Sequence, residues 1–155
     1  MTTFLKYLKV FAISMVPILE LRAAVPLGVT VEGLPLLPVL GVSVLGNMLP
    51  VPFIILFIRP IFNWMKERGK LFRRIAEKME QKAERKADKI KRYELFGLFL
   101  LVAIPLPGTG AWTGALVAAL FDIRLKNAVP VILAGVVTAG VVMSLITFGA
   151  KAFLT

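Results

Sequence analysis

One stretch constrains this chain more than any other: Leu95 to Phe121, LFGLFLLVAIPLPGTGAWTGALVAALF. It is apolar throughout and about long enough to cross a bilayer, since a helix rises 1.5 Å per residue and the hydrocarbon core is about 30 Å thick. Its middle, however, holds Pro105, Pro107, Gly108 and Gly110 within six residues. Proline removes a backbone donor and clashes with the preceding turn, and glycine loosens the chain further. The helix must stop there, which leaves two arms of about ten residues, each half a membrane deep. The expected shape is a re-entrant hairpin with its tip near the midplane. Irregular backbone at that depth is tolerated only when buried in protein or lining a polar cavity, so the rest of the chain should supply the walls.

The composition agrees. Of 155 residues, 58% are hydrophobic, with a mean hydropathy of +0.84. This predicts an all-α polytopic membrane protein of one domain. Cysteine and histidine are absent, which excludes disulfides, thiolate chemistry, histidine acid/base catalysis and histidine or cysteine ligation of haem or metal. Five of the nine carboxylates lie in one charged segment, so a multi-carboxylate metal site in the membrane is not expected. No cofactor and no enzymatic activity are expected, since no nucleophile–base pair is visible.

Read in order, Met1 to Leu19 predicts a short helix with Lys6 and Lys9 near its start. A signal peptide is the competing reading of that stretch, opposed by Glu20 and Arg22 at the would-be cleavage site. Pro17-Ile-Leu-Glu20-Leu-Arg22-Ala-Ala-Val-Pro26-Leu-Gly28 then reads as a second hairpin tip, with two charges that are costly at membrane depth. Leu34 to Ile58 is long enough to span and is kinked at Gly46-Asn47-Met-Leu-Pro50-Val-Pro52. Arg59 to Arg92 carries thirteen basic and five acidic residues. Phe72, Ile75, Met79, Ala83, Ala87 and Ile90 form one apolar helical stripe there, beside a basic column of Lys78, Lys82 and Lys86. Gly69 divides this element. It reads as a cytoplasmic amphipathic helix on anionic lipid headgroups, with no nucleic acid as partner. Asp122-Ile-Arg124-Leu-Lys126 returns the chain to the interface, and Asn127 to Ala150 is a second span.

The two halves match. Val16-Pro17 corresponds to Ile104-Pro105, and Arg22-Ala-Ala-Val-Pro26 falls on Gly110-Ala-Trp-Thr-Gly114 at the same offset. With a small gap, Pro38 falls on Pro130, and Gly41 and Gly46 on Gly135 and Gly140. Each half, 1–58 and 93–155, is a hairpin followed by one span, joined by 59–92. A hairpin returns and a span crosses, so the halves must be inverted repeats, with both termini external. That is the plan of many secondary transporters, which bind substrate at the midplane.

Several residues at the tips are candidates for a site, each with a plainer alternative. Glu20 can load and release a proton at membrane depth, or pair with Arg22, or cap broken backbone. Arg22 can grip a phosphate or carboxylate through its planar fork, or form that same pair. Gly108, Thr109 and Gly110 can present N–H groups to an anion at the start of the helix from Ala111, or pack two tips together. Trp112 can cover a small amphipathic substrate or simply pack. Asn47 can line the pathway or satisfy the Pro50 break. Pro17, Pro26, Pro105 and Pro107 shape the tips. A transporter, a membrane scaffold and an enzyme were the three classes to separate; only a transporter uses paired broken helices with tip charges. A homo-oligomer stays open.

The combination of Ile-Leu-Glu20-Leu-Arg22-Ala-Ala-Val-Pro26, Gly46-Asn47-Met-Leu-Pro50-Val-Pro52 and Pro105-Leu-Pro107-Gly108-Thr109-Gly110 resembles the small multidrug export protein family. That family is grouped with the DedA/VTT (SNARE-associated) membrane protein superfamily. The resemblance covers nearly the whole chain. It implies two facing re-entrant hairpins around an amphipathic central helix, in a multi-pass plasma-membrane protein. It also implies movement of an amphipathic anionic lipid, notably undecaprenyl phosphate, with proton coupling. Efflux of cationic drugs is the alternative in the family's own name. One departure stands out: DedA proteins carry arginines around the second proline-glycine tip, where this chain has Ala103, Ile104 and Gly110.

Overall fold

The computed structural model describes residues 2–70, 73–74, 77–78, 93–106 and 108–154. Every regular element among them is helical. In order these are α1 (Thr3–Met15), α2 (Glu20–Pro26) continued by a π-helical turn (Leu27–Val31), α3 (Leu36–Met48) and α4 (Pro50–Arg68). After the charged segment come α5 (Glu94–Ala103), α6 (Ala111–Leu120) and α7 (Leu125–Leu154). Two stretches are long and apolar enough to cross a membrane, Leu36–Ile58 with 23 residues and Leu125–Gly149 with 25.

Both expected breaks are present, and for one reason. Val16 and Ile104 each precede a proline, which disfavours helical backbone for the residue before it. Each leaves its helix in extended conformation, at φ −74° and ψ 130° for Val16 and φ −81° and ψ 118° for Ile104. The first break is shorter than expected. It covers only the residues between Met15 and Glu20, and Pro26 belongs not to the tip but to the end of α2. The helical path continues past Pro26, with Leu27 N–H on Ala23 O and Ala24 O, and the next turn widens, with Glu32 N–H on Leu27 O at 3.0 Å, a π-type bond. Pro50 and Pro52 likewise bend the first span without ending it, because Leu49 keeps helical angles.

The charged segment begins as a continuation of the first span, since α4 runs through Arg59 and Pro60 to Arg68 before Gly69 breaks it. Beyond that, Arg73 Nε and Glu77 Oε1 form an i,i+4 pair at 2.9 Å. All six residues of the predicted apolar stripe lie outside the described residues, as does Pro107.

Packing repeats between the halves. The first arm of each broken pair lies on its own span, α1 on α3 and α5 on α7. The second arms touch both halves: α2 packs on α1 and α3 and also on α7, and α6 packs on α4 and also on α5 and α7. Small residues set the close approaches, as expected where helices must come together without a hydrophobic drive. A Cβ at Gly46 would lie 2.0 Å from Ser14 Oγ and 2.7 Å from Phe11 O of α1. A Cβ at Gly135 would lie 2.7 Å from Val102 Cβ of α5. Gly46 and Gly135 therefore do the same work in the two halves. The sequence alignment paired Gly41 with Gly135, yet a Cβ at Gly41 would meet nothing within 4 Å. The equivalence by contact is 89 residues, close to the 88-residue offset of the two prolines.

One ion pair holds the open end of the first arm pair. Lys9 Nζ meets Glu32 Oε1 at 2.6 Å, and Lys6 Nζ donates to Glu32 O at 2.6 Å. The Lys9 ammonium holds the Glu32 carboxyl below the usual carboxylate range. A depressed carboxyl stabilises the fold above its unfolded pKa and loses that contribution as pH falls through the folded value. The tie should therefore persist across neutral and mildly acidic pH and fail only in stronger acid. Thermal unfolding of Glu32→Gln, followed against pH, should lie close to wild type in strong acid and below it near neutrality.

Candidate functional site

The two breaks meet. The first brings two charges, Glu20 and Arg22, the second brings the helix ends that meet them, and the contacts join residues some ninety positions apart.

Glu20 opens α2 at φ 48° and is only 3% exposed. Its carboxylate reaches the start of α6, where Oε1 accepts the Trp112 backbone N–H at 3.3 Å. The Ala111 N–H and the Asn47 side chain of α3 are the carboxylate's other hydrogen-bonding neighbours. A helix N-terminus carries unsatisfied N–H groups and about half a positive charge, so an anion is stabilised there. Gly110 makes the approach possible. Its φ of 125° suits glycine, and a Cβ would lie 2.1 Å from Glu20 Oε2.

Arg22, half a turn further along α2, faces the opposite end of the break. Its guanidinium donates to Leu106 O, to Ile104 O at 3.5 Å and to Thr109 Oγ1 at 2.8 Å. These carbonyls follow the C-terminal end of α5, which carries the negative end of that helix. Thr109 Oγ1 sits 2.8 Å from both Ile104 O and Leu106 O and accepts Leu106 N–H at 3.3 Å. Thr109 is thus a second staple inside the tip. Gly108, at φ 82°, lends its carbonyl to Thr113 Oγ1 at 3.0 Å.

Trp112 closes the arrangement from the other side. Its indole Nε1 donates to Met15 O at 3.0 Å, capping the last turn of α1. The side chain therefore ties the second half to the first arm of the first half. Asn47 lies about 17 Å along the first span from Leu36, close to the middle of a 30 Å core. It is 1% exposed, and its side chain neighbours the Glu20 carboxylate.

Glu20, Arg22, Asn47, Thr109, Trp112, Gly108 and Gly110 thus form one cluster, and Pro17 and Pro105 shape its two turns. The hydrogen bonds of Arg22 go to the facing tip, and the Trp112 N–H of the facing helix goes to Glu20. The tips pack directly on one another. Ser43 is the residue that pattern reasoning passed over. It is fully buried one turn before Asn47, and its i,i+4 spacing from Asn47 was the available signal.

With this geometry in view, one comparison decides the family. A family described as "Putative small multi-drug export protein" matches residues 20–142. The chain belongs to this family. The match begins at Glu20 itself, just after the first tip, and takes in the second tip, the first span and most of the second. No curated protein and no solved structure matches the chain. The export family and the two apolar spans make this a membrane protein with an export or transport role.

Proposed function

We propose that the chain is a secondary transporter of an amphipathic anion, of the lipid-phosphate class that the DedA resemblance implies, with Glu20 as its protonation site. The observation that carries this reading is the crossed capping. Glu20 occupies an anion-binding helix start, and Arg22 covers the carbonyl end beside it. A phosphate crossing hydrocarbon needs the same partners, a helix N-terminus and a guanidinium fork.

In this reading the protein's own carboxylate stands in for the substrate. Protonation removes its charge and weakens its hold on the Ala111 and Trp112 N–H groups. The anion then takes those donors, and Arg22 turns from the carbonyls to the headgroup. Proton and anion bind together, and each raises the affinity for the other, as linkage requires. Apolar side chains flank the tips, with Ile18 91% exposed and Leu106 56%, which suits a substrate whose tail stays in hydrocarbon.

The reciprocal packing of arms and spans supports inverted repeats, each a re-entrant hairpin and a span. The basic excess of 59–92 supports a cytoplasmic position for that segment, next to anionic lipid, in a multi-pass plasma-membrane protein with both termini outside. Cationic drug efflux is the second reading. The buried Glu20 carboxylate, a negative charge that a cationic drug could pair with, favours it.

Reconstitution in proteoliposomes separates the two readings. Glu20→Gln copies the protonated form. It should keep polyprenyl-phosphate binding and lose the pH dependence of transport. Arg22→Lys keeps the charge but loses the fork, and should weaken that binding about tenfold, the cost of roughly one charge-assisted hydrogen bond. Unchanged pH dependence in Glu20→Gln removes the coupling role. Intact phosphate binding in Arg22→Lys, with cationic drugs competing for the site, establishes efflux instead.

A further inference from the structure

Among the described residues, two buried side-chain oxygens have no hydrogen-bond partner: Ser43 Oγ and Asn47 Oδ1. Their residues are 0% and 1% exposed. They stand one turn apart on the same face of α3, about 6 Å along the axis. A buried oxygen without a partner costs about 1–3 kcal/mol, and native proteins rarely leave one so. Asn47 spends its side chain on Glu20 on one flank, while Oδ1 is left for a donor that no neighbouring helix supplies.

The direction of this polar face matters. α3 runs inward from Leu36, so Ser43 lies between Asn47 and the end of the molecule tied by Lys9 and Glu32. Beyond Ser43 the seam between α1, α2 and α3 is closed by Val10, Ala24, Leu34 and Val39, all buried. Val39 is again one turn on, and its methyls press on Gly28, where a Cβ would lie 2.7 Å from Val39 Cγ1. The order along α3 is therefore an apolar plug, a hydroxyl, an amide oxygen and the Glu20 carboxylate.

We propose that Ser43 Oγ and Asn47 Oδ1 hold a short file of water, and that Glu20 exchanges its proton through it with the Lys9–Glu32 side of the membrane. The inference rests on Glu20 as the protonation site of the preceding section. Water suits both atoms, since it donates to the amide oxygen and either donates to or accepts from the hydroxyl. The transfer balances. A water beside the carboxylate gives it one proton and takes one from its neighbour toward Ser43. The hydroxyl accepts from the plug side and donates inward, so a hydronium ion at the mouth is consumed and the file ends neutral. The charged and titratable groups around Glu20 are few. Arg22 lies on its own helix and is engaged with the second tip. On α1 there are Tyr7 beside the plug, and Lys6 and Lys9, both held by Glu32. Neither α3 nor α6 carries a titratable side chain, and those of α7, Lys126 and Lys151, sit near its ends.

Trp112 reports on the event, because its backbone N–H donates to the carboxylate while its indole is held nearby on Met15 O. Trp64→Phe leaves it as the sole tryptophan of the two in the chain. In that background an acid jump in detergent, followed by stopped-flow fluorescence, should give a Trp112 response that Glu20→Gln abolishes. Ser43→Val should slow this response about tenfold while leaving its midpoint pH in place, the effect of losing one hydrogen-bonded step from the barrier. Ser43→Thr keeps the hydroxyl and should restore the rate. Val39→Ala opens the plug and should quicken it. A Ser43→Val response as fast as the parent overturns the file while leaving Glu20 as the protonation site. A response that follows Na⁺ at constant pH assigns the oxygens to a cation and overturns it too. If the parent shows no response that depends on Glu20, the protonation reading falls, and this inference with it.

Discussion

Gly110→Ala should abolish the folded protein, whereas Gly108→Ala should only weaken it. Both glycines have positive φ, 82° at Gly108 and 125° at Gly110. A side chain at such angles costs about 1–2 kcal/mol of backbone strain. At Gly108 that is the whole effect, since a Cβ there would meet nothing within 4 Å. At Gly110 the new methyl would also fall 2.1 Å from Glu20 Oε2 and 2.7 Å from its carboxyl carbon. The carboxylate cannot yield cheaply, because moving it strips the α6 N-terminus of its anion and strands a buried charge. The combined loss should exceed about 4 kcal/mol, the exceptional end of single substitutions. Thermal unfolding in detergent, read by monodisperse elution after heating, measures both. Equal losses for the two variants would show that Glu20 does not hold the tip.

Arg22→Ala should be the second large effect, at about 3 kcal/mol or more. The guanidinium serves Ile104 O, Leu106 O and Thr109 Oγ1 together. Hydrogen bonds to charged groups contribute about 1.5–3 kcal/mol each, and the acceptors left behind at the tip would lose their partners. Thr109→Val is the matched control. It removes one hydroxyl from the same cluster with little change of shape, and should cost about 1 kcal/mol. Removing Glu20 in addition should recover part of the Arg22→Ala loss if the two charges balance one another across the tip. Strict additivity in that double-mutant cycle would mean that they act separately. A Thr109→Val loss as large as that of Arg22→Ala would place the tip's stability in the hydroxyl and not in the guanidinium.

The crossed capping also bears on how such a chain can place two charges in a bilayer. A lone charge at the centre of a spanning helix costs about 2.5–3.5 kcal/mol on insertion scales. Here each broken helix exposes an end of opposite sign to the charge that meets it, so the cost of breaking and the cost of burying offset one another. The arrangement works only when both tips are present, which ties the second half of the chain to the first.

Sequence alone determined the elements that depend on neighbours a few residues away. Proline and glycine act on the backbone within one turn, so the breaks at Pro17 and Pro105 and the two long apolar stretches were legible from composition and spacing. The meeting of Glu20 and Arg22 with Gly108, Thr109 and Gly110 was expected from the two similar breaks, and the side chains do meet there. Tertiary structure decided the rest. Pro26 was expected in the tip but sits at the end of a helix, where Leu27 keeps helical angles and the chain runs on into a π-type turn. Gly46, not Gly41, matches Gly135, because interhelical contact and not spacing defines the equivalence. No local rule could choose whether Arg22 would pair with Glu20 two positions away or with carbonyls more than eighty positions away. That choice depends on where two helix ends come to rest, and only the packed tips bring the positive end of α6 to the carboxylate and the carbonyls after α5 to the guanidinium.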